Sequence, residues 1–236
     1  MPGTRTLVIL LLVLLAMGTG GFVFLHSPGF YVAVVEVVGN HRVTAEEIVA
    51  RSGLLVGSHL LAALDDGIAR AILENPWLET VRVRPVYPGR VVITVEEREP
   101  AALLATRDGF WVVDTRGFLL AQESSPGGEL MVVTGVPEGG WATRQRPPAA
   151  ELVRALQVVS ALAERGLDPQ PQEVGVNQGE IDLFLAGGIR VFLGSPGAGL
   201  GHVLDLLAGV LVDLKGDLAE VLYIDLRFDR PVIRKR

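Results

Sequence analysis

Residues 30–48 read FYVAVVEVVGNHRVTAEEI, and this stretch decides how the rest of the chain is read. Phe30 to Val38 is rich in β-branched and aromatic side chains, so it predicts a strand. Gly39-Asn40 closes it. Thr44-Ala45-Glu46-Glu47 has capping-box spacing, with Thr44 at the N-cap and Glu47 three residues on. Val43 and Ile48 flank it as a hydrophobic staple. A short helix is therefore expected from 45 to 51, stopping near Gly53.

Working outward, Leu60, Leu61, Leu64, Ile68, Ala71 and Ile72 recur at helical spacing and predict a second helix, ended by Pro76. Val81 and Val83 alternate with Arg82 and Arg84. Tyr87-Pro88-Gly89 makes a turn. Val91, Ile93 and Val95 then face a core opposite Val92, Thr94 and Glu96. One helix pair over a three-stranded sheet is a sound α+β unit. It shows no convergent polar cluster, so docking outweighs catalysis there.

Upstream, residues 7–25 are LVILLLVLLAMGTGGFVFL, without a charge. As a helix they cross roughly the ~30 Å hydrocarbon core. A buried core helix would carry a polar stripe. A cleaved signal peptide has a shorter apolar region. Ala16-Met17-Gly18 imitates a cleavage site, but Phe22 to Leu25 continue the run, so an uncleaved anchor is expected. Arg5 lies on the short side, and no Lys or Arg follows until Arg42. The positive-inside rule then puts residues 1–6 in the cytoplasm and residues 26–236 outside it.

Downstream, residues 110–120 read as a hairpin turning at Asp114 to Gly117. Pro147 and Pro148 precede a helix bearing Leu152, Leu156, Val159 and Leu162, with proline suited to a first turn and Gly166 just past the end. Ile181, Leu183 and Leu185 alternate, Gly187-Gly188 turns, and Ile189, Val191 and Leu193 alternate back. A striped helix follows, with Leu200, Val203, Leu204, Leu207, Val210, Leu211 and Leu214. The final strand is expected over residues 219–228.

Composition excludes several classes. The 236 residues are 49% apolar and 20% charged, with a net charge of −6 and no cysteine. There is no disulfide framework, thiolate zinc site or cysteine nucleophile. An acidic chain with 19 arginines and two lysines does not offer a broad nucleic-acid surface. Gly197-Ala198-Gly199-Leu200-Gly201-His202 fails as a dinucleotide loop, because His202 stands where the third glycine belongs. His26, His41, His59 and His202 lack metal-ligand spacing, and His26 fits a membrane interface. Asp65-Asp66 and Glu96-Glu97 read as solvated charges, since neighbours point to different faces. No catalytic, cofactor or metal residue is assigned.

A β-α-α-β-β unit directly behind an anchor resembles a POTRA domain. The residues that carry the likeness are Val35-Glu36-Val37-Val38-Gly39-Asn40, Asn75-Pro76-Trp77-Leu78, Tyr87-Pro88-Gly89 and Glu96-Glu97-Arg98-Glu99-Pro100-Ala101-Ala102. POTRA units also precede large membrane barrels, but too few residues remain for one. A single unit behind one span resembles the FtsQ/DivIB family. The hairpin at Phe110-Trp111-Val112-Val113-Asp114, Val191-Phe192-Leu193-Gly194 and Asp225-Leu226-Arg227-Phe228 resemble that family's motifs in order. Phe228 stands where the family commonly has tyrosine, and Pro231 interrupts the terminal segment.

The expected organisation is a tail at 1–6, a transmembrane helix at 7–25, a POTRA domain at 30–98 and an FtsQ-type β-domain at 99–236. The fold class is α+β, with the second domain dominated by an antiparallel sheet. The resemblance implies a non-catalytic divisome scaffold in the bacterial inner membrane at the septum. It would bind FtsB and FtsL and help control septal peptidoglycan synthesis by the FtsW–FtsI pair, with a strand of FtsB extending the last strand. No cofactor, nucleic acid or small-molecule substrate is implied.

The edge argument agrees independently, because a terminal strand exposes unpaired backbone groups. Residues 227–236 hold five basic residues and one acidic one, against an acidic body. They could simply be a solvated tail that blunts the edge. Read as a docking strand, its partner-binding residues are Tyr223, Asp225, Leu226, Arg227, Phe228, Arg230, Val232 and Ile233. Phe228 would anchor, and Arg227 and Arg230 would set electrostatic register. The alternative is a POTRA-bearing transport or chaperone module that binds unfolded substrates at the sheet edge near Val81–Arg84.

Overall fold

The computed structural model describes residues 3–195, 197–228 and 230–236. Met1 and Pro2 of the expected tail, and Asp229 of the basic segment, lie outside the described residues. The chain divides into two compact units, residues 1–97 and 98–236.

The first unit opens with helix α1, Thr4–Leu25, which has no buried residue. Its 22 residues have a mean hydropathy of 2.6 over the most apolar window, long and apolar enough to cross a membrane. Strand β1 is Val34–Val38, shorter than expected, because Phe30 closes a 3₁₀ turn and Tyr31 and Val32 pair with the 57–59 loop. Helix α2, Ala45–Ser52, starts as predicted, with the Glu47 amide donating to Thr44 Oγ1 at 3.2 Å. The Glu47 carboxylate is engaged elsewhere. It accepts from Arg51 Nε at 3.1 Å and from Asn75 Nδ2 at 2.9 Å.

The expected second helix is two pieces. Leu60–Leu64 is a 3₁₀ turn and α3 is Asp66–Ile72. Asp65 divides them, because its carboxylate accepts the Gly67 amide at 2.8 Å and caps a new helix. The α3 helix therefore ends before Pro76 is reached. Strands β2, Leu78–Val86, and β3, Arg90–Glu97, form the predicted hairpin, with Gly89 at φ +62°. The sheet order is β1-β3-β2, with β1 parallel to β3 and β2 antiparallel to it. Val91, Ile93 and Val95 are buried with Ile48, Leu60 and Ile72.

Among the described residues, the second unit is built on nine strands in the order β12-β11-β10-β9-β8-β7-β4-β5-β6. These are β4 Pro100–Thr106, β5 Gly109–Asp114, β6 Leu119–Glu123, β7 Met131–Thr134, β8 Pro171–Asn177, β9 Glu180–Leu185, β10 Ile189–Gly194, β11 Val221–Asp225 and β12 Val232–Lys235. Helices α4, Ala150–Ala163, and α5, Leu200–Asp213, bury Leu152, Leu156, Val159, Leu162, Leu204, Leu207 and Leu211 in one core with the strands. Pro147 and Pro148 lie ahead of α4, not in its first turn.

The turn after β5 is organised by Asp114, which is buried. It accepts the Arg116 and Phe118 amides at 2.9 and 2.8 Å and pairs with Arg98 Nη1 at 2.8 Å. The Arg98 guanidinium also covers the Phe118 ring at 4.2 Å.

Candidate partner-docking edge

The final β-pair forms because β10 supplies a hydrogen-bonded edge for β11. The two run parallel, with Val191 opposite Ile224 and Phe192 opposite Asp225. Val221 and Ile224 are fully buried and fix the register, since a one-residue slip would turn them to solvent. The chain then turns, and β12 returns antiparallel along the outer side of β11. Tyr223 pairs with Arg234, Ile224 with Ile233 and Asp225 with Val232.

This differs from the expected strand over 219–228. The strand ends at Asp225, and its outer side is covered by β12, so the edge of the sheet at this end is β12. Every residue of β12 is exposed, including Val232 and Ile233. Its end is tied back, with the Arg236 amide donating to the Glu220 carbonyl at 2.7 Å. Lys235 Nζ meets Asp217 at 2.7 Å and Glu220 at 3.6 Å. The hydrogen bond to Asp217 raises the Lys235 pKa.

The turn between the strands is held by charge. Asp225 is buried, and its carboxylate accepts Arg227 Nη2 at 2.7 Å, Arg227 Nε at 2.9 Å and the Arg227 amide at 3.1 Å. The fork from Arg227 holds the Asp225 carboxyl below the usual range, against the opposing effect of burial. Arg227 also meets Glu180 at 3.3 Å and covers the Phe192 ring at 5.0 Å. Its charge is therefore committed inside the molecule, and its role is to position the turn.

The remaining expected site residues sort by exposure. Leu226 is buried in the core and presents no partner surface. Tyr223 is half-buried, edge-on to Phe192 at 5.6 Å. Phe228 is 61% exposed, and Arg230, two residues on, is exposed. Phe228, Val232 and Ile233 are the exposed apolar residues among them, with Val232 and Ile233 on opposite faces of β12, and Leu222 is a further exposed apolar residue that sequence reasoning missed. Leu222 sits at a register shift opposite β12, which its spacing alone does not reveal.

Two groups read as solvated charges have structural work. Glu97 accepts the His41, Arg42 and Val43 amides at 2.9 Å each. Burial raises its pKa, but those three amides outweigh it and the net shift is downward. Asp65 caps α3 as described above.

A family model for the FtsQ-type POTRA domain matches residues 30–98. A second, for the C-terminal region of cell division protein FtsQ/DivIB, matches residues 102–227. The chain belongs to the FtsQ/DivIB family of cell-division proteins. It is 32% identical to the cell division protein FtsQ of Anaeromyxobacter over 80% of this chain and 65% of that one. It is 31% identical to the FtsQ of Myxococcus fulvus over 90% and 79% of the two chains. The FtsQ of Geobacter is 30% identical over 86% and 74%. Membership gives the chain a role in cell division, and a POTRA domain behind one apolar helix fits a single-pass membrane protein. Both family matches end before β12 begins.

Proposed function

We propose that this chain is a non-catalytic divisome scaffold that binds FtsB and FtsL through the β12 edge and helps control septal peptidoglycan synthesis by the FtsW–FtsI pair. What carries the reading is an open terminal strand with Val232 and Ile233 exposed on it and Phe228 beside it. A partner strand added there gains main-chain hydrogen bonds along β12, and the apolar side chains give it anchors. Arg234 on β12 and Arg230 in the turn supply positive charge for an acidic partner segment. Arg227 acts indirectly, by fixing the turn. The single apolar helix would hold the protein in the inner membrane at the septum, with residues 26–236 outside the cytoplasm.

The test is co-purification of the full chain with FtsB and FtsL from cross-linked envelopes. Wild type should retain both, and Phe228→Ala combined with Ile233→Asp should lose them at unchanged expression. Retention by the double variant, or recovery of unfolded outer-membrane proteins instead, would remove the reading.

A further inference from the structure

A second exposed apolar surface lies in the first unit, at the end that carries α1. Residues 6–35 contain no Asp, Glu, Lys or Arg, and neither do residues 53–64. The fold brings these two uncharged segments together. The Gly57 amide donates to the Val32 carbonyl at 2.7 Å, and the Val32 amide donates to the Ser58 carbonyl at 2.8 Å. His59 links this loop to the helix itself. Its Nδ1 accepts the Leu61 amide at 3.3 Å, so Nε2 carries the proton and donates to the Leu25 carbonyl at 3.1 Å.

The side chains on this loop divide sharply. In a 3₁₀ turn residues three apart share a face. Leu60 and Ala63 face the core and are buried, so Leu61 and Leu64 face out, 47% and 62% exposed. Leu55 and Val56, at the tip, are 73% and 74% exposed. Tyr87 adds an exposed ring 5.3 Å from Phe30 and 6.2 Å from Phe24 in α1. Gly29 permits this, since a Cβ there would lie 2.6 Å from the Tyr87 ring.

Four large aliphatic side chains exposed on one uncharged loop call for a cover. We propose that residues 54–64, with Tyr87, dock on the lipid bilayer that α1 crosses, and that Leu55, Val56, Leu61 and Leu64 enter the boundary between headgroups and acyl chains. Continuity with α1 selects lipid over a protein partner. The loop is hydrogen-bonded to the last turn of the apolar helix, where the bilayer surface must lie. Apolar side chains at such a boundary reach about 5–10 Å into it, and tyrosine favours the same depth. The POTRA unit would then be held at a fixed height and tilt.

The absence of cysteine makes the test clean. Full-length Leu55→Cys, Leu64→Cys and Val38→Cys proteins each carry one nitrobenzoxadiazole label in phosphatidylethanolamine–phosphatidylglycerol vesicles, sparsely loaded. Val38 is also exposed but lies at the other end of β1. Vesicle flotation after carbonate washing reports α1 insertion separately. Labels at Leu55 and Leu64 should emit blue-shifted light, be quenched by lipid spin-labelled near the headgroup, and resist aqueous iodide. The Val38 label should do the reverse. Adding Leu55→Glu and Val56→Glu to the Leu64→Cys protein should restore iodide access while the protein still floats. Iodide access at positions 55 and 64 equal to that at 38 would overturn the proposal. Shielding from both quenchers would overturn it too, since that marks contact between copies.

Discussion

Two edge strands, β2 in the first unit and β12 in the second, are finished differently. Strand β2 spans nine residues and carries Arg82, Arg84 and Pro85 in its interior. Arginines must be desolvated by any strand that pairs there, and proline offers no N–H. Those are the devices by which natural edges refuse partners. Strand β12 has only four residues, led by Val232 and Ile233, with Phe228 exposed before it. Its positive charge is gathered at the end. Strand β12 carries guards of the same kind, being short, preceded by Pro231 and bearing Arg234 and Lys235, so what distinguishes it from β2 is the exposed apolar pair Val232 and Ile233.

The largest expected effect tests whether the β12 edge depends on its own unit. Asp114→Ala strands a largely buried Arg98 and frees the β5–β6 turn, at a cost of about 3–5 kcal/mol. Thermal unfolding of the full chain should show the second unit melting earlier and the POTRA transition unmoved. A shift in both transitions would mean the units are not independent.

Next come the edges themselves. Phe228→Ala should weaken the complex with FtsB by about 2 kcal/mol, roughly 30-fold, as loss of an apolar anchor does. Arg82→Asp on β2 should leave it unchanged. Isothermal titration of the detergent-solubilised chain with an FtsB segment reads both. Arg227→Glu is a poorer probe, because it would set a third carboxylate against Asp225 and Glu180 and disorder the turn.

A smaller effect belongs to the first unit. Thr44→Ala removes the α2 cap and should cost the POTRA unit about 1 kcal/mol. Chemical denaturation should register it, with FtsB affinity intact.

The smallest effect is one of pH. The folded Asp225 carboxyl lies below its usual value, about 3.9. Its stabilisation of the turn is therefore complete above about pH 4 and is lost as pH falls through the lower folded value. Fluorescence of a label at Phe228→Cys should report a looser turn only in that acidic window. Loosening near neutral pH would assign the turn to another group.

Much of the first unit was legible because its signals are local. The Thr44 cap, the Val91-Ile93-Val95 alternation and the Tyr87-Pro88-Gly89 turn each lie within a few residues. The Asp65 break was not, because Leu60 to Ile72 hold helical spacing on both sides of it. In the second unit the β9–β10 hairpin was readable from Gly187-Gly188. Strands β7 and β8 were missed because both are short or interrupted, and they pair in parallel with each other. Strand β12 was missed for a related reason. Four residues after a proline, two of them basic, carry little strand signal until β11 supplies their hydrogen bonds. Which of the expected site residues are buried and which exposed depends on that return strand. Asp114 with Arg98, and Glu97 with the 41–43 amides, are long-range pairs that no local pattern announces.

The most direct test places a photo-crosslinking amino acid at Ile233 on β12 and at Arg82 on β2, one at a time, in dividing cells. The account predicts a crosslink to FtsB from position 233 and none from position 82. A crosslink from β2 with a silent β12 would contradict it.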